Sequence, residues 1–182
     1  RGIIPSHETL NENTRFCIAR SHPNVIMDSF KGYIFNARIL GGESVAPTET
    51  GSTSSWREIT AMGPTVPTSA FTSTTNCKLL IHSNTTNGSQ TFTDSTGNYS
   101  PVNEHGGAEH STDKKKFGTS SIYFDGSNNY LSIDTSAAQL GVGVYCVEMW
   151  FNTNKGGHQC LISRNSSQQY GGLCIQPDSN YI

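Results

Sequence analysis

Apolar and polar residues alternate over two segments near the N-terminus, which is the pattern of β-strands with one buried face. Residues 14–20 alternate with Phe16 and Ile18 on one side. Residues 30–40 continue the pattern and predict one face made of Tyr33, Phe35, Ala37 and Ile39, and an opposite face made of Ile34, Asn36 and Arg38. Both segments are therefore predicted strands.

Short apolar runs recur again in the C-terminal part of the chain. They lie at residues 78–82, 90–93, 120–124, 130–133, 144–152, 158–163 and 172–176. Turn-forming pairs such as Asn87-Gly88 and Asp125-Gly126 separate them. This spacing predicts an all-β sandwich or barrel, and no helix of standard length fits anywhere.

A segment rich in Ser, Thr, Pro and Gly separates the two groups of strands. Pro47, Pro64 and Pro67 lack the N–H that a central strand needs, so residues 46–75 are predicted to be an extended linker. The chain then divides into residues 1–45, the linker 46–75, and residues 76–182.

Alternation within residues 144–152 predicts which side chains face outward. Tyr145, Val147, Met149 and Phe151 form the core side, which leaves Cys146, Glu148 and Trp150 on the opposite side. An outward Trp beside a Glu suits stacking on a sugar ring with a hydrogen bond to a hydroxyl. It equally suits packing under a neighbouring loop or subunit, and both alternatives stay open.

Three cysteines, Cys146, Cys160 and Cys174, are spaced evenly by 14 residues. If their strands form a meander, the three fall in one row, with Cys160 beside Cys174 and Cys146 beside Cys160. Directly opposed cysteines in such a pair lie within disulfide distance, and the bond then depends on the compartment.

Charge and composition exclude several kinds of partner. The net charge of −2 gives no basis for binding nucleic acid or an anionic membrane surface, which needs clustered cations. No apolar stretch approaches the ~18 residues of a membrane span. Abundant Ser, Thr, Asn and Gly are typical of extracellular and virion-surface β proteins.

Five segments in the second part of the chain carry a resemblance to a known family. They are 77–82 (CKLLIH), 92–98 (FTDSTGN), 116–127 (KFGTSSIYFDGS), 130–133 (YLSI) and 147–151 (VEMWF). In this order they resemble the first half of the laminin G-like domains of bacteriophage and bacterial surface proteins. The resemblance implies an antiparallel jelly-roll β-sandwich of the laminin G or concanavalin A-like type.

Residues 16–21 (FCIARS) and 30–39 (FKGYIFNARI) resemble the last strands of the same domain type. One departure is that Phe35-Asn36 replaces the family's Asp-Glu pair. The family order is thus inverted, so the chain either spans the end of one repeat and the start of the next or is a permuted domain. The first alternative implies that residues 1–45 of one copy complete the sandwich begun by 76–182 of another, by strand exchange.

An enzyme is not expected. Hydrolysis of a glycosidic bond needs two carboxylates across the bond, and no strand carries acidic residues two or four positions apart. The histidines show no HExxH spacing that brackets a metal, and no Gly-x-Ser-x-Gly elbow occurs.

Calcium is the cofactor that the sequence suggests. Asp94 and Asn98 place side-chain oxygens four residues apart on a glycine-containing turn, where the resemblance implies a calcium site. The alternative is an Asx-turn, in which Asp94 caps its own backbone.

The expectation is a structural and adhesion module of a repetitive surface protein, such as a phage or viral fibre, decoration or appendage protein on the virion surface or outside the cell. Its partners would be other copies or other virion proteins. The alternative is a secreted carbohydrate-binding module, for which Trp150, Glu148 and the calcium turn would form the site.

Overall fold

The structure, a computed structural model, describes residues 15–19, 29–41, 68–134, 145–166 and 169–175. Within these ranges every regular element is a β-strand, and the strands form two antiparallel sheets. The predicted all-β fold is confirmed. The same ranges contain no helix long and apolar enough to cross a membrane.

Ten strands lie in the described part of the chain. They are β1 (Arg15–Ile18), β2 (Lys31–Gly41), β3 (Cys77–His82), β4 (Val102–His105), β5 (Glu109–Ser111), β6 (Ser121–Asp125), β7 (Tyr130–Asp134), β8 (Tyr145–Asn152), β9 (Gln159–Ser166) and β10 (Gln169–Ile175).

The first sheet has the strand order β10-β9-β1-β7-β4. The short N-terminal strand β1 lies in its middle, where Cys17 is opposite Ser132 of β7 on one edge and Ser163 of β9 on the other. Both edges of β1 are therefore paired with strands that come more than a hundred residues later in the chain.

The second sheet is organised around β2. This strand pairs with β8 along one edge from Tyr33 to Gly41. Its other edge pairs first with β6 and then with β3, so β6 and β3 lie end to end on the same side, and β5 follows β6. β2 is thus an interior strand of the second sheet, as β1 is of the first.

One hydrophobic core lies between the two sheets. It contains Ile18, Leu131, Ile133 and Ile162 from the first sheet and Ile34, Ile39, Leu79, Ile81, Ile122 and Phe124 from the second, all 2 % exposed or less. Two sheets that share such a core form the layers of a β-sandwich.

The segments that the sequence assigns to successive repeats are parts of one sandwich in this structure. β1 and β2 pair within the chain and supply the strands that strand exchange would bring from another copy. The division into residues 1–45, 46–75 and 76–182 stays a prediction.

A β-bulge corrects the predicted faces of β2. Ile34 is opposite Phe151 and Asn36 is opposite Trp150, so Phe35 is the extra residue. The bulge reverses the alternation: Ile34 lies in the core on one side of it, and Ala37 and Ile39 lie in the core on the other. The prediction that placed Ile34 opposite to Ala37 and Ile39 is therefore wrong.

Other differences concern short elements. Residues 90–93 do not form a regular strand and contribute an isolated bridge between Phe92 and Val102. β4 and β5 were not predicted. Of the predicted linker, residues 46–67 lie outside the described residues, while 68–75 follow an irregular path in which Phe71 is buried.

Candidate functional site

Glu148 and Trp150 lie on the face of the second sheet that points away from the core, as the alternation of β8 predicts. Val147 and Met149, between and beside them, pack against the core. Arg38 of β2 is directly opposite Glu148, and its guanidinium forms an ion pair with the Glu148 carboxylate. The Nε of Arg38 donates to Glu148 Oε2 at 3.0 Å.

Arg38 is held on its other side by the segment that precedes β3. Its Nη1 donates to the carbonyl oxygen of Thr72 at 3.3 Å, and its guanidinium carbon lies 4.7 Å from the ring centre of Phe71. Glu148 therefore balances a cation that is fixed by the protein, and the carboxylate is engaged inside the molecule.

Trp150 is part of a second, smaller apolar cluster on this outer face. The cluster contains Phe71, Cys77 and Leu80, and Trp150 packs against it. The ring of Phe117 packs edge-on against the Trp150 ring, with the ring centres 5.8 Å apart, and the ammonium of Lys116 lies 4.7 Å from the Trp150 ring centre. This arrangement is the packing alternative, with the indole under two loops of the same chain.

The indole Nε1 of Trp150 is buried and has no hydrogen-bond partner among the described residues. A buried donor left unpaired costs free energy, so the position is held by the apolar contacts around the ring. Burial also raises the pKa of the neighbouring Cys77 thiol, which keeps it protonated.

Asp94 closes an Asx-turn. Its Oδ1 accepts hydrogen bonds from the backbone N–H groups of Leu80 at 2.9 Å and Thr96 at 3.0 Å. Its Oδ2 accepts from the Thr96 hydroxyl at 2.6 Å and from the N–H of Tyr99 at 3.1 Å. Both oxygens of this carboxylate, which is 3 % exposed, therefore serve the protein backbone and a hydroxyl.

Asn98, in the same turn, is engaged through its amide nitrogen. Its Nδ2 donates to the carbonyl oxygens of Cys77 at 3.2 Å and Lys78 at 3.0 Å. Gly97, between Asp94 and Asn98, has a φ of +75°, which favours glycine. Calcium needs six to eight free oxygen ligands, so the two residues are a poor fit for it and a good fit for fastening the turn to β3.

The cysteines do not form a row of three. Cys160 of β9 is opposite Cys174 of β10, next to a register shift between Leu173 and Cys174. Cys146 lies on β8, in the other sheet, opposite Leu40 of β2. The prediction that Cys146 lies beside Cys160 is wrong because the chain crosses from one sheet to the other between β8 and β9.

A buried polar network was missed by the sequence analysis. The Ser83 hydroxyl lies 2.6 Å from Nδ1 of His110 and 3.0 Å from the Ser120 hydroxyl, and Nε2 of His110 lies 3.0 Å from the carbonyl oxygen of Thr91. A carbonyl can only accept, so Nε2 carries the proton and Nδ1 accepts from Ser83. Burial lowers the pKa of His110, which favours the neutral ring.

A serine hydroxyl on a histidine nitrogen is also the arrangement of nucleophilic catalysis. Here the exposed fraction is 3 % for Ser83 and 2 % for His110. The ring of Phe92 stacks on the His110 ring, with the ring centres 4.5 Å apart. The network is enclosed, and its hydrogen bonds satisfy polar groups in the interior. No sequence signal marks it, because its members come from separate loops and strands.

An aromatic pair faces outward elsewhere on the second sheet. Tyr33 and Tyr123 are directly opposite in β2 and β6, with ring centres 5.1 Å apart. The same transverse row continues to Asn152 on one side and to Glu109 on the other. Burial and the charge of Asp113 raise the pKa of Tyr33, so its hydroxyl stays a hydrogen-bond donor.

Comparison with protein-family models, curated proteins and solved structures gives no match for this chain. Within the ranges that the structure describes, no three His, Cys, Asp or Glu residues lie close enough together to hold a metal ion.

Proposed function

We propose that this chain is a non-enzymatic structural and adhesion module of a repetitive surface protein, built as a laminin G-like jelly roll. The observation that carries the proposal is the engagement of Glu148 and Trp150 inside the molecule, by Arg38 and by the Phe71 cluster. The side chains best suited by sequence to hold a ligand are thus used to fasten loops onto the sheet.

The virion assignment, as a phage or viral fibre, decoration or appendage protein, is supported by the resemblance of residues 77–82, 116–127 and 147–151 to phage and bacterial surface domains. Its proposed partners are other copies of the chain or other surface proteins. The net charge of −2 does not favour nucleic acid as a partner.

Sedimentation and a glycan array test this proposal together. We expect self-association that increases with protein concentration, and no binding across the array. A chain that stays monomeric at every concentration would contradict the structural role, and glycan binding would favour the second candidate below.

A carbohydrate-binding module is the second candidate, and the row of Tyr33 and Tyr123 favours it. Two half-buried aromatic rings flanked by an amide and a carboxylate offer a stacking surface with hydrogen-bonding groups beside it. Under this candidate, Tyr123→Ala abolishes glycan binding. Trp150→Ala is the matched variant, because the Trp150 ring packs under loops. Loss of glycan binding in Tyr123→Ala but not in Trp150→Ala would distinguish this site from the one that the sequence suggested.

A further inference from the structure

We propose that the outer edge of β8, the edge that does not pair with β2, pairs antiparallel with β8 of a second copy. The second sheets of the two copies then form one continuous sheet across a two-fold axis. This inference rests on the proposed role as an assembling module and identifies the contact and its register.

One edge of β8 has no pairing partner among the described strands. Among the described strands, this eight-residue strand pairs with β2 alone. An edge strand presents unpaired N–H and C=O groups, and proteins protect such edges with Lys, Pro or a bulge. β8 (YCVEMWFN) contains no Lys and no Pro, and the bulge of this pair lies in β2. Among the described residues, therefore, none of these devices protects the edge.

Along β8, apolar side chains extend from the core toward the surface. Val147 and Met149 pack against the core but are only partly buried, and Phe151 is 39 % exposed. The Phe151 ring packs edge-on against the buried ring of Phe30, with the ring centres 6.2 Å apart. Phe151 therefore extends the core to the surface. Apolar side chains next to an unpaired strand edge favour the addition of another strand.

The charge on β8 is already balanced within the chain. Glu148 is the single ionisable acid or base of β8 apart from the Tyr and Cys at its start, and Arg38 already balances it. A second copy that docks here buries no unpaired charge, which is the usual obstacle to pairing two identical strands.

Charge and apolar contact together select the register. A two-fold axis at Glu148 would set two carboxylates opposite each other, which destabilises the pair. An axis at Met149 instead sets Val147 opposite Phe151 of the partner subunit and Glu148 opposite Trp150 of the partner subunit. The apolar side chains then meet on the core side, and no like charges meet. The register centred on Met149 is therefore the one we assign.

Cysteine cross-linking tests this register. In a Cys146→Ser background, Met149→Cys places two thiols directly opposite each other across the axis, with Cα atoms ~4.5–5.5 Å apart, within disulfide range. Val147→Cys is the matched control, because its two copies are offset by four residues, or ~13 Å. Under mild oxidation, we expect Met149→Cys to give a disulfide dimer as the main species and Val147→Cys to stay monomeric.

A mixture of Val147→Cys and Phe151→Cys carries the same test if Met149→Cys unfolds, because these positions face each other in the assigned register. Circular dichroism shows whether each variant folds. Equal cross-linking of Met149→Cys and Val147→Cys would overturn the register.

Sedimentation separates the two levels of the proposal. Self-association of the unmodified chain without any Met149→Cys dimer would overturn the β8 contact and leave the assembling role. A monomer at every concentration would overturn both.

Discussion

Replacing Ile18 by Ala removes a core side chain from the middle strand of the first sheet. Ile18 is 1 % exposed and lies between Leu131 of β7 and Ile162 of β9. Truncation of a buried Ile to Ala costs about 2–5 kcal/mol, through lost burial and the cavity that remains. Because β1 is paired on both edges, little relaxation into the cavity is available, and we expect about 3 kcal/mol.

For a chain of this length, 1 kcal/mol shifts the melting temperature by about 2–4 °C, so Ile18→Ala lowers it by about 6–12 °C. Thermal unfolding followed by circular dichroism measures the shift. Thr93→Ala, at an exposed position, is the control and is expected to melt like the unmodified chain. If Ile18→Ala also melts like the unmodified chain, β1 is not part of this core and the reasoning is refuted.

Three further predictions concern polar groups and turns. Lowering the pH below about 6.5 reduces the free energy of unfolding, because burial depresses the pKa of His110 and the unfolded chain binds the proton more readily. Urea unfolding at about pH 7.5 and about pH 5 measures this loss of stability. His110→Gln is expected to flatten the dependence of the free energy of unfolding on pH. Asp94→Ala costs about 3 kcal/mol through lost charged hydrogen bonds, while EDTA leaves the melting temperature of the unmodified chain unchanged; a calcium-dependent rise would show that Asp94 holds a metal. Gly106→Ala is expected to lower the melting temperature more than Gly97→Ala. Both glycines have a φ of +75°, but only at Gly106 would an added Cβ overlap the carbonyl of Asn128. Equal shifts in melting temperature would show that this overlap does not matter.

Local alternation was enough to predict several strands and the faces of one. β6, β7 and β8 each lie within a short apolar run that turn residues separate from the next, and the core side of β8 at Val147 and Met149 is as predicted. β4 and β5 escaped prediction because they read Val-Asn-Glu-His and Glu-His-Ser, with a single apolar residue between them. These short strands form because neighbouring strands offer them pairing partners.

The bulge at Phe35 was beyond the reach of alternation. Tyr33, Phe35, Ala37 and Ile39 are all apolar enough for a core face, so a regular strand accounted for the sequence. Only the register against β8, set by a strand that comes more than a hundred residues later, shows that one residue is inserted. Pattern analysis assumes a regular strand, whereas the pairing partner decides where the strand departs from regularity.

The contacts of the candidate site were also beyond sequence analysis, because they join distant residues. Arg38 and Glu148 are 110 residues apart, and Ser83 and His110 come from separate parts of the chain. The turn at Asp94 is different, since its donors Thr96 and Tyr99 are local. Both alternatives for Asp94 could therefore be predicted from the sequence, whereas of the two long-range pairs only Glu148 was a predicted site residue.

An engineered cross-link between β1 and β7 measures most directly whether the N-terminal strands complete the sandwich of their own chain. Cys17 is directly opposite Ser132, so Ser132→Cys brings two thiols within disulfide range. After mild oxidation and denaturation without reductant, we expect a single chain in which peptide mapping joins residue 17 to residue 132. Chains linked to one another through residues 17 and 132 would show that β1 pairs with another copy and would contradict this account.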